Sequence, residues 1–236
     1  TGGTGVTHDA NGDLTTTGAG TIGVTASANS ITMADGTVYS ADGTVTLTAA
    51  DSIALGRIAG TGAVTATASA GAITDNTAGE GAGNENVTGT VVTLTAATGI
   101  GATGAAGDID TAATQLDLTT GTGGIYVTET NAVQLGTGTG GLNKTTSGDI
   151  VIVAGGAITT GNTITTAGNG NIDVSTSSGG ITLSNAVTAN GSGNVTLNAN
   201  GLLTVNAADS SPNRNKRLTS GTGNTHDANG GLATTG

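Results

Sequence analysis

Residues 178–205 read SGGITLSNAVTANGSGNVTLNANGLLTV. Four triplets recur within it: Ile181-Thr182-Leu183, Val187-Thr188-Ala189, Val195-Thr196-Leu197 and Leu203-Thr204-Val205. Apolar–polar–apolar is the period-two signature of a strand with one buried face. Gly, Asn and Ser separate the triplets, and these residues favour turns. A three-residue strand is unstable alone. Stacked on a counterpart ~4.8 Å away, it gains a hydrogen-bond ladder on both sides. Its inward Val, Ile or Leu then packs on the same residue type in the next layer.

The same triplets extend along the chain. Lead aliphatics fall at Ile22, Val45, Val64, Val92, Leu116, Ile150, Ile172 and Val195, with spacings of 23, 19, 28, 24, 34, 22 and 23 residues. A second aliphatic start follows each lead after 8 or 9 residues, at Ile31, Ile53, Ile73, Ile100, Ile125, Ile158, Ile181 and Leu203. A weaker third start appears at Val38, Ile58, Ile109, Val133, Ile164 and Val187. Three short strands per coil of about 23 residues predict an all-β parallel β-helix, or β-solenoid. An antiparallel sandwich of short strands leaves the 23-residue period unexplained. Gly and Asn at the corners are expected to supply positive φ, and the single Pro, Pro212, lies outside the pattern. Two stretches are expected to project: Asp75 to Asn86, and Gly136 to Lys144 inside the 34-residue step.

Composition agrees. Gly and Thr, 44 and 50 of 236 residues, make up a large part of the chain; Cys, Trp and Phe are absent and Tyr occurs twice. Any core is therefore thin and aliphatic, and Gly at this density opposes helix. Without Cys there is no disulfide and no thiolate metal site. No apolar run approaches the ~18 residues of a membrane span. A net charge of −11 with only five Lys and Arg excludes the basic stripe that nucleic acid requires.

A longer repeat is superimposed on the coils. Residues 219–236 match residues 1–18 at 14 of 18 positions, so His8 and His226 are one position in two copies. The chain reads as one module, 1–218, and the start of a second, 219–236, excised from something longer since it opens on Thr1. Such a module advances about 45 Å at ~4.8 Å per coil. No polar capping element of the kind solenoids use is apparent at either end. Uncapped edges template pairing, so the expected partners are neighbouring copies or modules, end to end.

The segments GAITDN (71–76), VVTLTAATGIG (91–101), GDIVIV (148–153) and the stretch quoted above resemble the Gly/Thr/Asn-rich repeats of giant bacterial surface proteins related to filamentous haemagglutinin. This resemblance implies a right-handed parallel β-helix, secreted to the cell surface or extracellular matrix, that works as an adhesin stalk or matrix fibre. Cell-surface or matrix polysaccharide is a further partner on this reading.

No residue set reads as a catalytic or cofactor site, and the chain is not expected to be an enzyme. His8-Asp9 with His226-Asp227 supply too few ligands for a metal. Asp108-Ile109-Asp110 places two carboxylates on one strand face, where Ca²⁺ can be held weakly with loop carbonyls. The glycines of 136–141 lack the Gly-Lys-Ser/Thr of a phosphate loop. Asn86, Asn143, Asn190 and Asn194 fit the glycosylation acceptor pattern. The basic cluster 212–217 reads as an inter-module loop. Outward Thr46, Thr65, Thr93, Thr182, Thr196 and Thr204 are expected to stack into a ladder, interrupted at Asp117, Val151 and Asp173. Such a face is the basis of an alternative function, binding to ice or polysaccharide surfaces.

Overall fold

The computed structural model describes residues 1–79, 83–136, 142–207, 209–210, 216–226 and 232–233, with backbone alone for 142–145, 209–210, 224–226 and 232–233. It is an all-β parallel solenoid. Every strand pairing given for it is parallel, and residues with alternating burial line three faces around one core.

Face B carries the longest column. Val6, Ile31, Ile53, Ile73, Ile100, Ile125, Ile150, Ile172, Val195 and Lys216 stack in register, coil upon coil. Face A runs Ile22, Val45, Val64, Val92 and Leu116. It resumes with Leu142, Ile164, Val187, Asp209 and Leu232. Face C holds Leu14, Tyr39, Ile58 and Val87, then Val133, Ile158, Ile181 and Leu203. β-Branched residues suit such stacks because their χ1 is already restricted before ordering. Tyr39, the one ring in this core, is completely buried.

The sequence spacing aligned Leu116 with Ile150 as successive leads. The structure corrects this. Leu116 pairs with Leu135, and Ile150 stacks on Ile125. The 34-residue step is a change of face rather than an insertion, and Leu142–Thr145 within it is a strand paired on Ile164–Thr166, with a register shift between Leu142 and Thr145. Residues 137–141 of the expected projection lie outside the described residues. Of the expected Asp75–Asn86 projection, residues 76–79 and 83–86 lie outside strands after Ala72–Asp75 and residues 80–82 are outside the described residues; residues 101–108 form an unexpected loop.

The change of face has a structural cost. Thr111 pairs with Glu129 and Gln115 with Gln134, so between these pairs three residues, 112–114, face four, 130–133. The ladder lapses between these pairs. Glu129, fully buried, fills the gap with its side chain: its carboxylate accepts from Ala113 N–H at 3.0 and 3.1 Å, Asn131 N–H at 2.9 Å and Thr111 Oγ1 at 2.7 Å. A buried carboxylate with this many donors supplies acceptors where the ladder lapses.

Turn glycines such as Gly36, Gly136 and Gly179 supply positive φ as expected, but the glycines just before strands serve a different purpose. Gly43 is not among the positive-φ glycines. A Cβ on it would lie 2.5 Å from Gly20 O in the adjacent coil, and Gly62, Gly170 and Gly193 meet the preceding corner glycine in the same way. Backbones of successive coils approach too closely there for any side chain.

The last coil also departs from expectation. At register positions that are aliphatic in the coil before it, it carries Lys216 (after Val195), Asn224 (after Leu203) and Asp209 (after Val187). Leu218 still packs against the core from a half-buried position. So a partly polar rung stands where the sequence reading saw no cap. Moreover, the two copies of the 18-residue repeat occupy different faces. Val6–His8 pairs with Ile31–Met33 on face B, whereas Asn224–His226 pairs with Leu203–Val205 on face C.

Candidate functional site

Two surface features concentrate chemistry: a polar cluster beside the two loops, and the outward side of face A.

The polar cluster is organised by Asn86, which has no exposed surface. Its Nδ2 donates to Asp75 Oδ1 at 2.5 Å and Thr77 Oγ1 at 3.1 Å, while its Oδ1 accepts from Asp110 N–H at 2.8 Å. This amide ties the 76–86 loop to the next coil, and it is too buried to accept a glycan. Glu85 accepts from Gly83 N–H and Thr130 Oγ1, both at 3.0 Å. Burial pushes its carboxyl up, but these hydrogen bonds, its own N–H and the Arg57 charge together hold it below the usual range. Arg57 donates to Gly83 O at 2.7 Å, and its Nε is buried without a partner. Asp108 accepts from Thr128 Oγ1 through one oxygen, and the other is buried without a partner.

Asp110 is the perturbed member. Burial, then repulsion from Asp108, Asp75 and Glu85, raises its pKa from 3.8 to about 6. Burial likewise pushes Glu129 up, against its hydrogen bonds. A carboxyl whose folded pKa exceeds its unfolded one favours the folded state when protonated, and that contribution is lost as pH rises through the folded value. Asp110 therefore lowers the stability of the chain progressively as pH rises from about 4 through about 6, and remains destabilising above that. Asp110→Asn is expected to raise the melting temperature near neutrality and to flatten its fall with pH. Melting curves of both proteins across this window test it, and parallel curves would refute the assignment.

Asp108 and Asp110 do flank buried Ile109 on the outside of a strand, as the sequence suggested. Among the described residues, however, no group of three or more His, Cys, Asp or Glu side chains comes together to hold a metal ion. Two clefts adjoin the cluster. One, of ≈ 250 Å³, is lined by Asp108, Tyr126 and Thr128 with Val127, Val151 and Val153; the other, of ≈ 190 Å³, includes Asp35, Arg57, Thr77 and Asn84. Each contains a single carboxylate in its lining.

His8 is held in the first coil. Its Nδ1 lies 2.8 Å from Gly12 O and 3.0 Å from Tyr39 Oη, with the two rings edge to face at 5.4 Å. Burial raises the Tyr39 pKa to about 12, so this hydroxyl stays protonated. Asp9 caps its own turn through Asn11 N–H. His226 is the register partner of Val205, and Asp227 lies outside the described residues, as do 211–215 of the basic cluster. The glycines 137–141 are likewise outside them. Asn190 donates to Thr166 O at 2.6 Å. Asn194 belongs to an amide ladder that the sequence reading missed: Asn171 donates to Asp149 Oδ1, and Asn194 donates to Asn171 Oδ1 at 3.0 Å. Asn143 is described for its backbone alone.

The threonines separate by face. Thr46, Thr65 and Thr93 form one column on face A. Thr182 and Thr204 stack with Thr159 on face C. Thr196 stands on face B between Asp173 and Arg217. Val151 and Asp173 also belong to face B, so neither interrupts the face A column. Asp117 closes it, and Gly23 opens it. Two residues further along each strand is a second column, Thr25, Thr48, Thr67, Thr95 and Thr119. Sequence spacing could have found this T-x-T pairing had the leads been kept on one face.

The chain matches no known protein family, no curated protein and no solved structure. The described residues include no helix long and apolar enough to cross a membrane.

Proposed function

We propose that this chain is a structural rod, a segment of a secreted fibre or stalk at the bacterial surface or in the extracellular matrix, extended by stacking end to end. The observation that carries the reading is the face B column, continuous and in register from Val6 to Lys216. Its length, about 45 Å at ~4.8 Å per coil, comes from repetition rather than from a folded pocket. Edge strands pair through backbone groups whatever their side chains, so the polar rung at Lys216 leaves this mode of extension open.

The repeat supplies the phase of stacking. When residues 1–18 of a following segment take the place their copy occupies at 219–236, Val6–His8 moves from face B to face C. Successive modules are then turned by one face about the rod axis. The rod reading itself is tested by negative-stain electron microscopy of the purified chain. Uniform filaments that fall to a 22.0 kDa species on denaturation are the expected result. Isolated rods of about 45 Å would overturn stacking between separate copies.

A further inference from the structure

We propose that face A, over the strands Ile22–Ala26, Val45–Ala49, Val64–Ala68, Val92–Ala96 and the end of Ile109–Thr120, is an ice-binding surface. This goes beyond the rod reading and does not depend on it.

Eight of the ten outward positions in these five rungs are Thr: Thr25, Thr46, Thr48, Thr65, Thr67, Thr93, Thr95 and Thr119. The array has fixed spacings of ~4.8 Å between rungs and roughly 6.6 Å along each strand. Each Thr presents a methyl and a hydroxyl, and its branched Cβ restricts χ1. The surface is rigid because the residues beneath it, Val45, Leu47, Val64, Val92 and Leu94, have no exposure at all. Other threonines commit their hydroxyls internally: Thr16 to Gly20 O, Thr37 to Asp9 O, Thr120 to Gly123 O and Thr166 to Gly170 O. The array hydroxyls enter no such bond and are not among the residues with other partners.

The occupant follows from what this face has and lacks. Its three central rungs, 46/48, 65/67 and 93/95, contain neither a charge nor an aromatic ring in a chain of net charge −11. A sugar polymer is ordinarily gripped by aromatic platforms and convergent polar groups in a groove. A protein partner is anchored by aromatic or Arg residues. Here the outward groups repeat without variation in two directions, so the matching partner also repeats in two directions. Ordered water does so, with hydroxyls replacing lattice partners and methyls set against the water that spans between them. Little ordering entropy remains to be lost on the protein side.

The test is partition into slowly growing ice. The purified 236-residue chain is frozen in part beside an inert soluble protein, and the ice and liquid fractions are assayed. Enrichment of the chain in the ice is expected. Thr65→Lys and Thr67→Lys, which set a bulky cation into the centre of the array, should lower it about tenfold. Thr182→Lys, on face C, should match the unsubstituted chain. Both positions are outward, and circular dichroism establishes that each variant is folded; Thr67→Ser, which removes one methyl, gives an intermediate loss by a substitution the strand tolerates. Exclusion of the unsubstituted chain from ice overturns the proposal. So does an equal loss in the face A and face C variants. Retention on insoluble cellulose or chitin with exclusion from ice also overturns it and transfers the surface to polysaccharide.

Discussion

Ile172→Asp is expected to abolish the cooperative thermal melt and the β-sheet circular dichroism of the chain at neutral pH. Ile172 is fully buried between Ile150 and Val195, themselves fully buried, in the face B column. An unpaired carboxylate there has neither water nor a donor, and leaving a charge uncompensated in a core costs about 3–5 kcal/mol. Loss of the aliphatic side chain adds roughly 2 kcal/mol. Together these approach the ~5–15 kcal/mol that holds a typical domain folded. The neighbouring residue supplies an internal control. Asp173 already carries a carboxylate, yet it points outward from the same strand. One residue of displacement exchanges the core for solvent. A variant that melts like the unsubstituted chain would sink the register of face B.

Glu129→Ala is the second large effect. Its carboxylate answers Ala113 N–H and Asn131 N–H where the ladder lapses, and accepts from Thr111 Oγ1 at 2.7 Å, a hydroxyl that also reaches Thr128 O at 3.3 Å. Each donor left buried and unsatisfied costs ~1–3 kcal/mol. A loss of about 3 kcal/mol corresponds to roughly 6–12 °C in melting temperature for a chain of this size. Glu129→Gln keeps one acceptor oxygen and should recover part of the loss. The comparison separates hydrogen bonding from charge. If Gln is as damaging as Ala, the negative charge matters more than the acceptors. If neither variant shifts the melt, the carboxylate is not bridging the gap.

Glu129 also shows where a linear reading stops. Nothing around Glu129 in the sequence distinguishes it from the other acidic residues, because two of the donors it serves, Ala113 N–H and Thr111 Oγ1, lie 16 and 18 residues earlier. Asn86 is similar. It was legible only as part of a glycosylation pattern, whereas its buried amide joins Asp75, Thr77 and Asp110. The acidic pair Asp108 and Asp110 was visible, but the raised pKa of Asp110 arises from Asp75 and Glu85 as well, brought close by coil stacking. The corner glycines were recognised by position, and positive φ accounts for some of them, such as Gly36 and Gly179; at Gly43 and Gly62 the reason is instead close backbone approach between coils.

The sequence by itself determined that this chain is an all-β solenoid. Period-two alternation, turn residues between triplets and a thin aliphatic supply are local properties, and each points to the same stacked strands. It could not determine which face each triplet occupies. Triplets on all three faces share one pattern, and coils along the face B column vary from 20 to 27 residues, so counting cannot hold a column together across the chain. Only strand pairing in three dimensions decides that register. That decision turned Leu116 towards Leu135 and moved Ile150 beneath Ile125. It sent Thr182 and Thr204 to face C and Thr196 to face B, and left the threonines of face A as an array that Val151 and Asp173 do not interrupt.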